Sequence, residues 1–94
     1  MFSWDETKNA TNQNKHGVSF ETAQHVFDDS LHLTRQDRVE HGEQRWQTIG
    51  LVGGVILLLV AHTWHDTDDG TEHIRLISAR RATKLERKIY EQGF

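Results

Sequence analysis

Five residues between positions 43 and 75 have side chains that could act together on a phosphodiester: Glu43, Arg45, His62, Trp64 and Arg75. A guanidinium offers forked N–H donors to two non-bridging phosphate oxygens. A histidine or a glutamate can move a proton near neutral pH, and an indole can stack on a nucleobase. If the fold brings these side chains together, the pattern indicates a site for phosphodiester chemistry.

The elements that must position these residues are those of an α+β fold in a single domain spanning residues 1–94. Alternation with a period of two predicts a four-stranded antiparallel sheet, with strands at 31–36, 44–52, 55–64 and 72–79. Capping residues and apolar spacing predict two N-terminal helices, at 6–16 and 20–27, and a C-terminal helix at 84–92. The segment 2–4 can add a short N-terminal edge strand.

The first hairpin turn decides which strand residues face one another. Residues 53–54 are a Gly-Gly pair, which is typical of a two-residue hairpin turn. With this pair at the centre of the turn, Arg45 lies opposite His62 and Glu43 lies opposite Trp64. We therefore expect these four side chains on one face of the sheet.

The second turn extends the cluster to the last strand. A turn centred on the Asp-Gly pair at 69–70 places Trp64 opposite Arg75 and His62 opposite Ile77. The loop is long enough for a slip of one residue, which would move Arg75 to the other face. Cross-strand pairs of glutamate and arginine are also common structural features of exposed sheets, and periodicity alone favours that second interpretation.

Two adjacent arginines, Arg80 and Arg81, mark the junction between the last strand and the last helix. A helix N-terminus favours anions, and these guanidiniums would reinforce an anion-binding site there. They could equally pair with carboxylates such as Asp28, Asp29 or Glu86. The sequence leaves both interpretations open.

Charge is unevenly distributed along the chain, whose net charge is −3. Residues 1–73 carry twelve acidic and five basic groups, whereas residues 74–94 carry two acidic and six basic groups. The basic C-terminal part suits a phosphate-bearing partner. The acidic net charge argues against tight non-specific binding to nucleic acid.

The composition also bears on location and on cofactors. The chain has no cysteine, which excludes the small disulfide-stabilised domains of secreted proteins. The longest apolar run falls well short of the roughly 20 residues of a membrane-spanning helix, and the polar N-terminus does not resemble a signal peptide. His62 and His65 have a metal-ligand spacing, but strand geometry points them to opposite faces. We expect a cytoplasmic protein with no membrane contact, no metal and no cofactor.

Short segments along nearly the whole chain match the sequence pattern of one protein family. They are residues 2–8, 15–18, 20–21, 26–29, 42–46, 49–50, 74–83, 86–87 and 90–91. In combination they resemble the BrnT family of type II toxins, and the sequences KHGV at 15–18 and SARRAT at 78–83 are the most specific.

The resemblance implies a RelE-like fold and a bacterial ribonuclease toxin that inhibits growth. Toxins of this fold cleave RNA without a metal ion, by attack of a ribose 2′-hydroxyl on the adjacent phosphate. The resemblance also implies a partner, a BrnA-type antitoxin. The complex of the two proteins would bind operator DNA through the antitoxin and act as an autorepressor, and the chain could form a dimer within that complex. Because this chain is acidic overall, we expect it to cleave free RNA.

The resemblance further implies catalytic roles for individual residues. Glu43 or His62 would be the general base, and His16 would be the general acid if the first helix ends near the site. Arg45 and Arg80 would stabilise the charge on the phosphate in the transition state.

Other residues would hold the RNA substrate. A base would stack on the ring of Trp64 or of Tyr90. Contacts with the RNA backbone would come from Lys15, Arg75, Arg81 and Lys84.

Two alternative functions also fit these residues. One is a non-catalytic interaction module with a decayed ribonuclease site, although Glu43, Arg45, Arg80 and Arg81 are all present. The other is a metal-dependent nuclease, which needs three or four converging carboxylate or histidine ligands. Cleavage that is insensitive to EDTA would exclude the metal-dependent nuclease.

Overall fold

The computed structural model describes residues 1–93 as a layered α+β fold in which helices cover both faces of a mixed sheet. The elements in chain order are β1 (Phe2–Ser3), α1 (Glu6–His16), α2 (Phe20–Ala23), a 3₁₀ helix (Gln24–Asp28), β2 (Leu33–Glu40), β3 (Glu43–Val52), β4 (Ile56–His62), β5 (His65–Asp66), β6 (Glu72–Arg81) and α3 (Lys84–Gln92). The strands lie in the order β1-β6-β4-β3-β2, and β5 pairs with β6.

The prediction of a four-stranded antiparallel sheet is wrong. The sheet has six strands and is mixed, because β1 runs parallel to β6 with Phe2 beside Ile74 and Ser3 beside Arg75. The second helix is one α-helical turn that continues as the 3₁₀ helix, so the prediction of two N-terminal α-helices is also wrong. A short edge strand is present within the predicted segment 2–4, as β1, but strands of two residues such as β1 and β5 are too short for periodicity to reveal how they pair.

Helix α1 is held by buried asparagines, which compensate for its weak helix propensity. Asn12 donates to the carbonyls of Val18 and Ala79 at 2.8 and 2.9 Å and accepts from the Ala79 N–H at 3.1 Å. Gly17 ends the helix with φ +70°. Because β1 lies at the Arg75 end of β6 and Asn12 lies at Ala79, α1 runs alongside β6 toward its C-terminal end.

Alternate strand residues form two apolar layers. We call the side covered by α1, α2 and the 3₁₀ helix the α1 face, and the side covered by α3 the α3 face. The α3 face carries a smaller cluster that includes Leu57 and Leu59, packed against Tyr90 of the last helix. The α1 face holds the main core, made of Val18, Phe20, Ala23, Val26, Leu58, Val60, Ile74, Leu76 and Ala79.

The predicted register of the first hairpin is wrong by one residue. Val52 pairs with Ile56, so the turn contains Val55 as well as the glycine pair, and Trp46 lies opposite His62. Arg45 is therefore not the partner of His62, and Trp64 is not the partner of Glu43. A shift of one residue moves a side chain to the other face, and it places His62 on the α1 face.

The second predicted register holds for part of the pairing. Leu59 pairs with Arg80 and Ala61 with Ser78, as a turn centred on residues 69–70 requires. A bulge follows Ala61, so His62 pairs with Leu76 and the predicted pairing with Ile77 is wrong.

Within residues 1–93, no helix is both long enough and apolar enough to cross a bilayer.

Candidate active site

The carboxylate of Glu43 is the centre of a charged cluster at the start of β3. His41 and Gly42 turn the chain between β2 and β3 with φ values of 53° and 75°, as a tight two-residue hairpin requires. Glu43 follows this turn directly. Its Oε2 lies 2.8 Å from Nε2 of His65, and its Oε1 accepts a hydrogen bond of 2.8 Å from Arg75.

These contacts keep Glu43 ionised. The hydrogen bond from His65 lowers the pKa of Glu43 below its usual value; burial acts in the opposite direction, and the nearby charges of Arg75, His65 and Arg45 lower it further. The carboxylate is therefore a fixed negative charge that orients cationic and N–H groups around it.

Arg45 adds a second guanidinium to this cluster. Its side chain is 16% exposed, and its Nε lies 3.8 Å from Glu43 Oε1 while its Nη1 lies 3.8 Å from Glu40 Oε2. Its Nε–H has no hydrogen-bond partner among residues 1–93. Because these distances exceed those of hydrogen bonds, the Nε–H of Arg45 is a buried donor without a partner in the described part of the chain. We refer to Glu43, Arg45, His65 and Arg75 as the Glu43 cluster.

His62 lies apart from this cluster, fully buried in the α1 face. Its Nδ1 donates to the carbonyl of Thr63 at 2.9 Å, and its Nε2 accepts from the Thr48 hydroxyl at 2.7 Å. Burial lowers the pKa of His62, and the hydrogen bond to Thr63 opposes this. The imidazole is neutral with both nitrogens occupied, and an RNA on the surface cannot reach it.

Arg80 is paired with a carboxylate, which is one of the two interpretations that the sequence left open. Its two terminal nitrogens donate to the two oxygens of Glu86 at 2.8 and 2.9 Å. This bond lowers the pKa of Glu86 to about 2 and raises the pKa of Arg80. Leu59 pairs with Arg80 on one side and with Ile49 on the other, so Arg80 lies beside Ile49 in the direction across the strands. Ile49 is four residues from Arg45 on β3, which separates Arg80 from Arg45 by about 13 Å along the strand direction.

The remaining predicted basic residues lie at the other end of β6 from Arg75. Helix α1 ends there, which brings Lys15 and His16 toward Arg81, and Lys84 begins α3 just beyond. From Arg75 to Arg81 the strand spans six residues, about 20 Å. The structure therefore separates His16 from the Glu43 cluster. We call Lys15, Arg81 and Lys84, all exposed, the basic edge.

The two aromatic rings predicted to stack on a base have different surroundings. Trp64 is 41% exposed, packs edge-on against Trp46 with centroids 5.3 Å apart, and lines a cleft of about 250 Å³ on the α1 face. The Tyr90 hydroxyl donates to Asp29 at 2.5 Å, and this bond raises the pKa of Tyr90 to about 12. Trp64 is therefore available to a nucleobase, whereas Tyr90 anchors α3.

A family model for the ribonuclease toxin BrnT of type II toxin–antitoxin systems matches residues 4–86. The chain belongs to the BrnT family. A crystal structure of the Brucella abortus ribonuclease toxin BrnT is similar to it, with 26% identity and a TM-score of 0.61 over 89% of this chain and 99% of that chain. No curated protein matches the chain. The resemblance seen in the sequence is thus confirmed, and the chain is a ribonuclease toxin by family.

His65 is the member of the Glu43 cluster that the sequence analysis did not assign to the site. The sequence could have indicated His65 through the hairpin between β3 and β4. If the turn of that hairpin has three residues, Trp46 pairs with His62, and the same register continued outward places Glu43 opposite His65. The assumed two-residue turn hid this pairing. In the described residues 1–93, no three histidine, aspartate or glutamate side chains converge as a metal-binding group.

Proposed function

We propose that this BrnT-family chain is an endoribonuclease that cleaves free RNA without a metal ion. In the reaction, the 2′-oxygen of a ribose attacks the adjacent phosphorus, and the bond from phosphorus to the 5′-oxygen of the next nucleotide breaks. The products are a 2′,3′-cyclic phosphate and a free 5′-hydroxyl. The 2′-hydroxyl loses a proton and the leaving oxygen gains one, so the site needs proton-transfer groups and cationic donors.

The Glu43 cluster is the observation that carries this proposal. It combines an ionised carboxylate with an exposed imidazole and two guanidiniums, each within hydrogen-bonding or near-contact distance of that carboxylate. The guanidiniums of Arg45 and Arg75 can stabilise the negative charge that develops on the phosphate. The imidazole and the carboxylate supply proton transfer. Trp64 packs against Trp46 and lines the cleft on the α1 face, whereas Arg75 lies between two α1-face core residues of β6 and points to the other side of the sheet, so we assign Trp64 no stacking role at this cluster.

The basic edge extends the proposed RNA path away from the chemistry. We assign Lys15, Arg81 and Lys84 to contacts with the RNA backbone. Arg80 holds Glu86 and His16 lies near the basic edge, so neither is assigned to the chemical step. His62 is excluded from that step by its burial.

Product analysis tests the reaction type. Purified protein should cleave a 5′-labelled RNA in EDTA and leave a cyclic phosphate, while the same oligonucleotide with 2′-deoxyribose at the cleaved position should stay intact. Cleavage only after addition of Mg²⁺ or Mn²⁺, or cleavage of the deoxy substrate at the same rate, would contradict the proposal.

A type II toxin–antitoxin system implies an antitoxin partner, and we propose that it is of the BrnA type. The antitoxin would block RNA cleavage and bring the complex to operator DNA as an autorepressor. Co-expression of a BrnA-type protein should restore growth, and a gel shift of operator DNA should need the complex. A shift produced equally well by the toxin alone would contradict the assignment of DNA binding to the antitoxin.

A further inference from the structure

His65 is the histidine of the Glu43 cluster and the member that the sequence analysis did not assign. We propose that His65 transfers the proton from the RNA 2′-hydroxyl during cleavage and that Glu43 is its positioning residue. This inference rests on the proposed ribonuclease function and names a proton-transfer group within that site.

The hydrogen bond between the two side chains fixes which nitrogen is free. Glu43 Oε2 lies 2.8 Å from Nε2 of His65. An ionised carboxylate only accepts hydrogen bonds, so Nε2 carries the hydrogen. In the neutral ring, Nδ1 then holds a lone pair, and it makes no hydrogen bond within residues 1–93. The His65 side chain is 53% exposed, so an RNA hydroxyl can reach the ring.

Glu43 is less suited to accept the proton itself. Its Oε1 accepts from Arg75 and its Oε2 from His65, so both oxygens are occupied. Its side chain is 25% exposed, about half the exposure of His65. A carboxylate held in this way orients the ring and stabilises the imidazolium formed when the ring takes up a proton.

The proton transfer can be written with all bonds accounted for. Nδ1 of His65 takes the 2′-hydroxyl proton as the bond between the 2′-oxygen and phosphorus forms. The bond between phosphorus and the 5′-oxygen breaks, and the leaving oxygen takes a proton from water. Arg75 and Arg45 flank the same carboxylate, and Arg75, which is 48% exposed, is the guanidinium that a phosphate beside His65 can reach.

Several other charged or polar groups lie around His65. Glu43 and Arg45 approach from β3, and Arg75 approaches from β6. On β6, His73 is the register partner of His65, and Glu72 is the partner of Asp66, the neighbour of His65 on its own strand. His73 bonds to Ser3 through Nε2 at 2.7 Å, so it must be tested separately.

Single-turnover cleavage of a labelled free RNA in EDTA, measured across roughly pH 5 to 8 where histidines titrate, tests the inference. His65→Gln keeps an N–H that can donate to Glu43 but removes the ring nitrogen that would accept the proton. His25→Gln is the matched control, because His25 is 56% exposed and bonds to a carboxylate, Asp28, at 2.8 Å. His73→Gln controls for the neighbouring ring.

We expect His65→Gln to lose about 100-fold in rate, within the range for general acid–base groups, together with the acidic limb of the pH profile. Both control variants should keep the wild-type profile, and free imidazole should restore part of the activity of His65→Ala. A folded His65→Gln protein with the wild-type rate and pH profile would overturn the role of His65 while leaving the ribonuclease proposal intact. Failure of the wild-type protein to cleave RNA would overturn both.

Discussion

At the scale of single residues, two histidines three positions apart differ in burial and in hydrogen bonding. His62 is fully buried with both ring nitrogens bonded, whereas His65 is exposed and bonded to Glu43. The separation follows from strand geometry, because side chains alternate between faces and the α1 face holds the main core. Residue type alone therefore says little about chemistry, and the surroundings of each imidazole decide its role.

Replacing His62 should damage stability. His62→Ala removes a buried ring and leaves the Thr48 hydroxyl and the Thr63 carbonyl without their partner, so we expect a loss of about 3 kcal/mol in the free energy of unfolding. Urea denaturation measures this loss, with His16→Ala as the control of small effect. A change below about 0.5 kcal/mol, as for surface substitutions, would contradict the assigned packing role.

The pairing of Arg80 with Glu86 predicts a pH dependence of stability. Because the folded protein lowers the pKa of Glu86 from 4.5 to about 2, the pair stabilises the fold above the higher value, and this contribution is lost as the pH falls through the lower one. Arg80 is 39% exposed, so we expect only about 1 kcal/mol after solvent screening. Thermal unfolding of wild type and Glu86→Gln should therefore converge as the pH drops; a gap that is unchanged at acid pH would contradict this.

At the scale of elements, helix α1 depends on one side chain that links it to β6. Asn12→Ala would leave the buried N–H and C=O of Ala79 without their side-chain partners, and we expect a loss of about 2–3 kcal/mol in the free energy of unfolding. Asn14→Ala, at an exposed position of the same helix, is the control. Equal unfolding midpoints for the two variants would contradict the role of Asn12.

The sequence predicted where the longer elements lie better than how they pair. Capping residues located α1 and α3, because Asp5 and Thr83 make the expected bonds to helical N–H groups. The hairpin register depended on whether Val55 belongs to the turn, which neither periodicity nor the glycine pair determines. That one residue decided whether Trp64 or His65 would lie opposite Glu43. The parallel pairing of β1 was invisible because it rests on backbone contacts of two residues.

At the scale of the whole molecule, the acidic chain carries exposed cations at both ends of β6. The Glu43 cluster lies at the Arg75 end of β6, and the basic edge lies about 20 Å away at the Arg81 end. In the proposed function, these two groups are the ends of the RNA path on an otherwise acidic protein. The cations at the two ends of β6 attract the phosphates of an RNA, whereas the acidic remainder of the protein repels them. Together these forces favour binding of RNA along β6 over non-specific binding elsewhere on the protein.

Charge reversal at the basic edge should weaken RNA binding without removing the chemistry. We expect Arg81→Glu with Lys84→Glu to lower affinity for a non-cleavable 2′-deoxy oligonucleotide by at least about tenfold at low salt, with a weaker dependence on salt concentration. Lys8→Glu, on the exposed surface of α1, is the control. Fluorescence anisotropy measures the affinity, and equal affinity for both proteins would contradict the assigned path.

The central claim is that the Glu43 cluster is the site of RNA cleavage, and the rate of cleavage of free RNA in EDTA by Glu43→Gln tests it most directly. Glu91→Gln, at an exposed position on α3, is the matched control, and the folding of both variants is checked by circular dichroism. We predict that Glu43→Gln loses about 100-fold in rate, because the imidazole and the guanidiniums lose the charge that orients them, while Glu91→Gln keeps the wild-type rate. A folded Glu43→Gln protein that cleaves RNA as fast as wild type would contradict the claim.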